Sequence, residues 1–233
     1  KYVFKRNVIY KNGLKEYNSV FKIYGSERDI IDYDEFCQYF KNLKLKDSTI
    51  YGGFRRLKKD FIQISLNSYI KIGCLNLCDN NIKKIREFIK NKLVEKPYVD
   101  IYNIINFSEL PNIGYEWSNY ILLEVIERYI PEFKVIESKF KDRRYRRPII
   151  VKNDSDIQDI VDVIIYIIKY EYNDVENLTV GKIKDYLITN NIFVQSIPNE
   201  FFESEKILVD EYGRVAIKEK NNGNNWSKIK KYL

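Results

Sequence analysis

The sequence predicts a mostly helical α+β chain in which one arrangement, three helices followed by a two-stranded hairpin, occurs three times. Three observations predict it. Apolar residues recur at three- and four-residue spacing in successive stretches, the mark of amphipathic helices. Each series of such stretches ends in two short β-branched or aromatic runs joined by a polar turn. The order then repeats along the 233 residues. A chain of this length holds one large domain or two to three small ones, at roughly 100–200 residues per domain.

The first pass opens with Leu14, Tyr17, Phe21 and Tyr24 at helical spacing, with Gly25 as a stop. A second helix spans about Asp32 to Leu43. Phe36, Phe40 and Leu43 share one face, and Asp34 and Glu35 lie in the first turn, where acids suit the helix dipole. Asp47-Ser48 offers an N-cap for a third helix with the apolar stripe Ile50, Phe54 and Leu57. The hairpin is Phe61-Ile62-Gln63-Ile64, a turn at Leu66-Asn67-Ser68, and Tyr69-Ile70-Lys71-Ile72.

The second pass opens at Asp79-Asn80, with Ile82, Ile85, Ile89 and Leu93 as its apolar face and Pro97 after its end. A short helix is expected around Ile101 to Ile105. A strong one is expected from about Glu116 to Ile130, stopped by Pro131, and the hairpin pairs Phe133–Ile136 with Pro148–Val151. The third pass opens at Ser155, and Ile157, Ile160, Val161, Ile164, Ile165 and Ile168 form one broad face. Thr179 caps a helix holding Ile183, Tyr186 and Leu187. Phe201 and Phe202 sit in a short third helix, and the strands Ile207–Val209 and Arg214–Ile217 flank Glu211-Tyr212-Gly213. Asn221-Asn222-Gly223-Asn224-Asn225 reads as a linker to Trp226 and the basic Lys228 to Lys231.

Three helices plus a hairpin wing is the pattern of winged-helix (helix-turn-helix) DNA-binding proteins, and the chain resembles a tandem of them. The resemblance is clearest over residues 31–73, where Ser48-Thr49-Ile50-Tyr51 starts a third helix that leads directly into a hairpin. It implies modules at 1–78, 79–153 and 154–220, with a basic tail at 221–233. In that family the third helix enters the major groove and the wing touches backbone or minor groove. Fold alone does not settle function, so the exposed faces carry the argument.

Charge separates the three passes. The chain has 40 Lys and Arg against 33 Asp and Glu, a net +7. Residues 1–78 carry +7, residues 79–153 carry +4, residues 154–220 carry −7 and the tail carries +3. This asymmetry suggests a polyanion for the basic part and a different task, such as a protein partner, for the acidic 154–220. The absence of His excludes a Ser-His-Asp triad, a Cys-His dyad and His-ligated metal. Cys37, Cys74 and Cys78 are too few for a disulfide framework; a Cys74–Cys78 pair is the alternative to the leading expectation, buried thiols of a cytosolic protein. No phosphate-binding glycine loop occurs, so no cofactor is expected. The opening Lys1 to Arg6 has no apolar core of a signal peptide. A chain without Met is expected to be a fragment or excised domain, and no run is long enough to span a bilayer.

Two clusters stand out as DNA contacts. With Ile50, Phe54 and Leu57 facing the core, helical geometry turns Ser48, Thr49, Tyr51, Gly52, Arg55, Arg56, Lys58 and Lys59 elsewhere. Lys58 and Lys59 suit phosphates and Arg55 or Arg56 suits guanine. Gly52 and Gly53, poor helix formers, suggest close backbone approach to another surface such as DNA. The second cluster is the wing tip of the second module, where Lys139, Lys141, Arg143, Arg144, Arg146 and Arg147 surround Phe140 and Tyr145 with a single acid, Asp142. Such a tip is expected to be exposed, with its charges free of packing duties. In the same module the acids Glu116, Glu124 and Glu127 leave the third helix a weak reader, with Ser118 and Asn119 as its remaining contacts. The acidic third helix of the last module, around Glu200, Glu203 and Glu205, is expected to avoid DNA. Glu137-Ser138-Lys139 forms half of a metal-dependent nuclease pattern, for which Glu132 and Asp100 are the only positional partners. The expectation is a non-enzymatic double-stranded DNA binder, cytoplasmic and nucleoid-associated. It would be a transcription regulator or the DNA-binding part of a larger replication, mobile-element or defence protein. A protein-docking scaffold and an RNA binder using stacked aromatics are the alternatives.

Overall fold

The computed structural model describes residues 2–5, 8–11, 16–104, 106–140, 146–172 and 178–218. The chain is α+β, with eight α-helices and only small antiparallel sheets among the described residues. It divides into two compact units: Lys1–Asn91 with Asn106–Phe133, and Lys92–Ile105 with Lys134–Leu233. No helix among the described residues is long and apolar enough to cross a membrane.

The first unit begins with a hairpin absent from the sequence reading, β1 (Tyr2–Lys5) and β2 (Val8–Lys11). Helix α1 (Glu16–Ser26) follows, then a three-residue strand β3 (Ile30–Asp32), also unforeseen, that runs straight into α2 (Tyr33–Asn42). Asp32 ends the strand and caps the helix, accepting the amides of Asp34 and Glu35 at 2.8 and 3.1 Å. Helix α3 (Asp47–Leu57) starts behind Lys46, which makes no side-chain cap. Asp47, expected to help cap this helix, is its first residue and lies 3.4 Å from Lys41. Strands β4 (Phe61–Gln63) and β5 (Ser68–Lys71) complete a sheet of order β3-β5-β4, with Ile70 paired to Ile30 on one side and Ile62 on the other.

The core of these elements is aromatic. Phe36 and Phe40 are fully buried, and the Phe21 ring lies 4.6 Å from Phe40. Phe54 meets Phe36 at 5.2 Å and Tyr69 at 5.0 Å, both edge-on. Such pairs contribute about 0.5–1.5 kcal/mol each beyond burial. Helix α1 reaches α3 because Gly53 has no side chain: a Cβ there would clash with three carbons of the Phe21 ring. Gly25 plays the same part under Leu57, within α1 rather than as its stop. Helix α4 (Asp79–Glu95) comes next in the chain, with Ile82, Ile85, Ile89 and Leu93 buried as expected. Helix α5 (Asn119–Tyr129) begins later than expected because Ser118 is its N-cap.

The second unit holds β6 (Tyr98–Asp100), β7 (Phe133–Ile136) and β8 (Ile149–Lys152) in a sheet of order β6-β8-β7. Only one helical turn, Ile101–Asn103, stands where a short helix was expected. Helix α6 (Ile160–Tyr170), N-capped by Asp159, buries Ile160, Val161, Val163, Ile164, Ile167 and Ile168. Helix α7 (Val180–Thr189) is capped by Thr179 as expected, and α8 (Asn199–Glu203) is short. Strands β9 (Ile207–Val209) and β10 (Val215–Ile217) pair antiparallel, and Thr179 bridges to Arg214 at the start of β10.

One plan therefore recurs in chain order: a helix, a short strand, a helical stretch, then two more strands. Each time the last strand lies between the other two, with the Thr179 bridge standing for the short strand in the third instance. The hairpins that end the three repeats were expected from the sequence, whereas the β1–β2 hairpin, the short strands β3 and β6 and the Thr179 bridge were not. The cysteines also differ from expectation: Cys74 and Cys78 are exposed and Cys37 is half-buried, all free thiols.

Two tests follow from the packing. Gly53→Ala forces a methyl into the Phe21 ring and is expected to lower stability by about 1–3 kcal/mol, read by urea denaturation. The second concerns Asp100, almost fully buried in β6. Burial pushes its carboxyl up to about 6, against the pull of the Tyr102 amide, Arg147 and Asn103. Between pH 4 and 6 the native state holds a proton that the unfolded state releases, so this group costs stability as pH rises through that window. Wild type should lose about 2–3 kcal/mol relative to Asp100→Asn from pH 4 to 6, by denaturation midpoints against pH.

Candidate nucleic-acid interface

The packing of α3 divides its residues by face. Ile50, Gly53, Phe54 and Leu57 are buried. Ser48, Arg55, Arg56 and Lys59 are exposed, Thr49 and Gly52 are half-exposed, and Tyr51 is 61% exposed. The structure thus brings together seven of the eight residues picked from this segment on one outward surface. The two glycines part company. Gly53 is accounted for by Phe21, whereas a Cβ at Gly52 would meet nothing within 4 Å. The turn that delivers the chain to α3 adds Lys44 and Lys46, both exposed, with Lys44 in the left-handed region at φ 61°.

Lys58 is the exception. Its ammonium sits 2.8 Å from Glu124 of α5 and 5.6 Å from the Tyr69 ring centroid. Glu124, expected on an acidic exposed face, is instead buried, and its other oxygen accepts from Arg128 one turn on. Arg128 then donates to the carbonyls of Lys59 and Lys58, at 3.1 and 3.2 Å. Those carbonyls lie in the turn that ends α3, where helical C=O groups lack partners and a cation is favoured. Ser118 locks the other end of α5, donating to the Ile64 carbonyl at 3.0 Å and accepting the Ile121 amide. The sequence reading offered Ser118 and Asn119 to DNA. The structure uses Ser118 internally, and Asn119 Oδ1 is buried. The Glu-to-Arg spacing of four was the signal that could have revealed this clamp.

In the second unit the wing is described only at its base. Lys141, Arg143, Arg144 and Tyr145 lie outside the described residues. Lys139 is exposed, and its backbone amide is 2.5 Å from Glu200 Oε1 of α8. Arg146 Nε donates to the Phe140 carbonyl at 2.8 Å, and Phe140 packs edge-on against Phe193 at 6.3 Å. The Arg147 guanidinium stacks 4.3 Å over the Tyr102 ring and faces Asp100. Arg146 and Arg147 are half-buried, Arg146 bonded to Phe140 across the base of the wing and Arg147 stacked on the turn after β6, so the expectation that tip charges serve no packing fails for these two.

The nuclease constellation is not assembled. Glu137 follows β7 and Asp100 ends β6, on opposite edges of a sheet with β8 between them, and Glu132 is paired with Arg86. Among the described residues no group of three or more Cys, Asp and Glu side chains is placed to hold a metal ion. The third repeat presents acids on its short α8. Glu203 is exposed, while Asp159 and Asp162 hold Lys206 at 2.9 and 2.7 Å. Burial would raise the Asp159 carboxyl. The Lys206 ammonium and the Asp162 amide outweigh it and hold it below the ordinary range.

Arg128→Ala removes two charge-assisted carbonyl contacts and leaves Glu124 with Lys58 alone. A loss of about 2–3 kcal/mol is expected in urea denaturation, against a change within about 0.5 kcal/mol for the outward Arg55→Ala.

No family model, curated protein or solved structure matches this chain.

Proposed function

We propose that the chain is a non-enzymatic, double-stranded DNA-binding protein of three tandem winged-helix modules. It would serve as a transcription regulator or as the DNA-binding part of a larger assembly. The observation that carries the reading is the outward surface of α3 and the turn after it, where Ser48, Thr49, Tyr51, Arg55, Arg56 and Lys59 lie off the buried stripe. Its setting supports the reading: helix, strand, two helices and a hairpin closed by its middle strand, within a 1–78 segment of net charge +7. On this reading α3 would enter the major groove and the basic wing at 139–147 would contact the DNA backbone. The internal duties of Arg146 and Arg147 shift the DNA-facing charge of that wing to Lys139, Lys141, Arg143 and Arg144.

A second reading rests on the third repeat. Phe202 is 51% and Tyr212 73% exposed within an acidic segment of net charge −7. That surface suits a protein partner, making the chain a docking scaffold in a nucleic-acid-processing complex, with the DNA-binding modules as its other end.

Fluorescence anisotropy with a labelled duplex over a salt series tests the first reading. Wild type is expected to bind with log K falling linearly in log salt. Arg55→Ala/Arg56→Ala should weaken binding by roughly 10–100-fold, and Arg143→Ala/Arg144→Ala should reduce the slope by about 1–2. Wild-type protein that ignores the duplex at low salt would sink the reading.

A further inference from the structure

No packing contact in the described residues requires a glycine at position 52. It lies in the middle of α3, and a Cβ built on it meets nothing within 4 Å. Its neighbour Gly53 is needed for the approach of Phe21, so the pair does not share one explanation. Glycine is disfavoured in a helix interior relative to alanine. A solvated helix face gains nothing from such a gap.

The surroundings of Gly52 are chemically specific. Residues three and four positions away are its neighbours on a helix surface. Here they are Ser48 and Thr49 on one side and Arg55 and Arg56 on the other, with the exposed Tyr51 adjacent. By helical spacing the bare backbone at Gly52 thus has two hydroxyl-bearing residues on one side and two arginines on the other. A ligand that must come closer to the helix axis than a methyl group permits gives the glycine its reason. The rim is suited to a ligand that is anionic and rich in hydrogen-bond acceptors.

We propose that Gly52 is the point at which the backbone of α3 lies against a base-pair edge in the major groove of duplex DNA, and that it sets sequence selectivity. This rests on the DNA-binding reading above. Phosphate contacts tolerate a small outward displacement of the helix, because Arg and Lys side chains are long and flexible. Base-edge contacts do not, because short hydroxyls and bidentate guanidiniums need the helix at full depth. Restoring a methyl at position 52 should therefore separate selectivity from general affinity.

The test uses Gly52→Ala in the full chain. Two probes are needed: a duplex selected from a random pool by wild-type protein, and an unrelated duplex of equal length. The variant's melting temperature is expected at or above that of wild type, since alanine favours helix and meets no obstacle. Its affinity for the selected duplex should fall by roughly 10–100-fold. Its affinity for the unrelated duplex and its salt slope should stay unchanged. A variant that keeps the wild-type preference overturns the inference. Wild-type protein that binds every duplex equally also overturns it, while leaving the DNA reading standing. Wild-type protein that binds no duplex overturns both.

Discussion

The contact between Phe21 and the bare backbone of Gly53 governs the first unit. It lets α1 approach α3, and that approach closes an aromatic core running through Phe40, Phe36 and Phe54 to Tyr69 of the sheet. A side chain at position 53 would hold the two helices apart and open that core, whose atoms are packed at near-crystalline density. The orientation of the outward face is a by-product. Once Ile50, Gly53, Phe54 and Leu57 are turned inward, Ser48, Gly52, Arg55 and Arg56 have only one direction left.

A second interaction sets the end of that helix. Arg128 holds the carbonyls of Lys58 and Lys59 while pairing with Glu124, which also holds Lys58. A lysine that looks like a phosphate contact in the sequence is thereby spent on internal structure. The same conversion occurs at the wing base, where Arg147 stacks on Tyr102 and Arg146 bonds the Phe140 carbonyl. In both places a cation that reads as surface charge is an anchor.

Much of the fold was legible because long amphipathic helices carry their own signal. The stripes of α3, α4 and α6 and the Phe36 and Phe40 part of α2 were legible from spacing, as were Thr179 as a cap and the hairpins that end the three repeats, whereas Leu43, expected on the α2 stripe, lies past the helix end and is exposed. The short strands β3 and β6 were not legible, because three residues cannot show a period of two, and their pairing depends on a partner some 40–50 residues away. The clamp at Arg128 was missed because it depends on carbonyls some 70 residues earlier in sequence. The outward face of α3 was legible for the opposite reason: which side is buried follows from the helix alone. The separate meanings of Gly52 and Gly53 needed the position of Phe21, which no local pattern supplies.

The strand order has a consequence for how the chain is made. In the first two repeats the strand that emerges last occupies the middle of the sheet, β5 between β3 and β4 and β8 between β6 and β7. The two earlier strands are never neighbours and have no partner until it arrives. A nascent chain halted before Ser68 would carry two wholly unpaired strands and a nearly complete aromatic core, whereas β5 pairs both of them on their inner sides. Closure by the final strand puts the point of greatest aggregation risk of these two repeats a few residues before their ends.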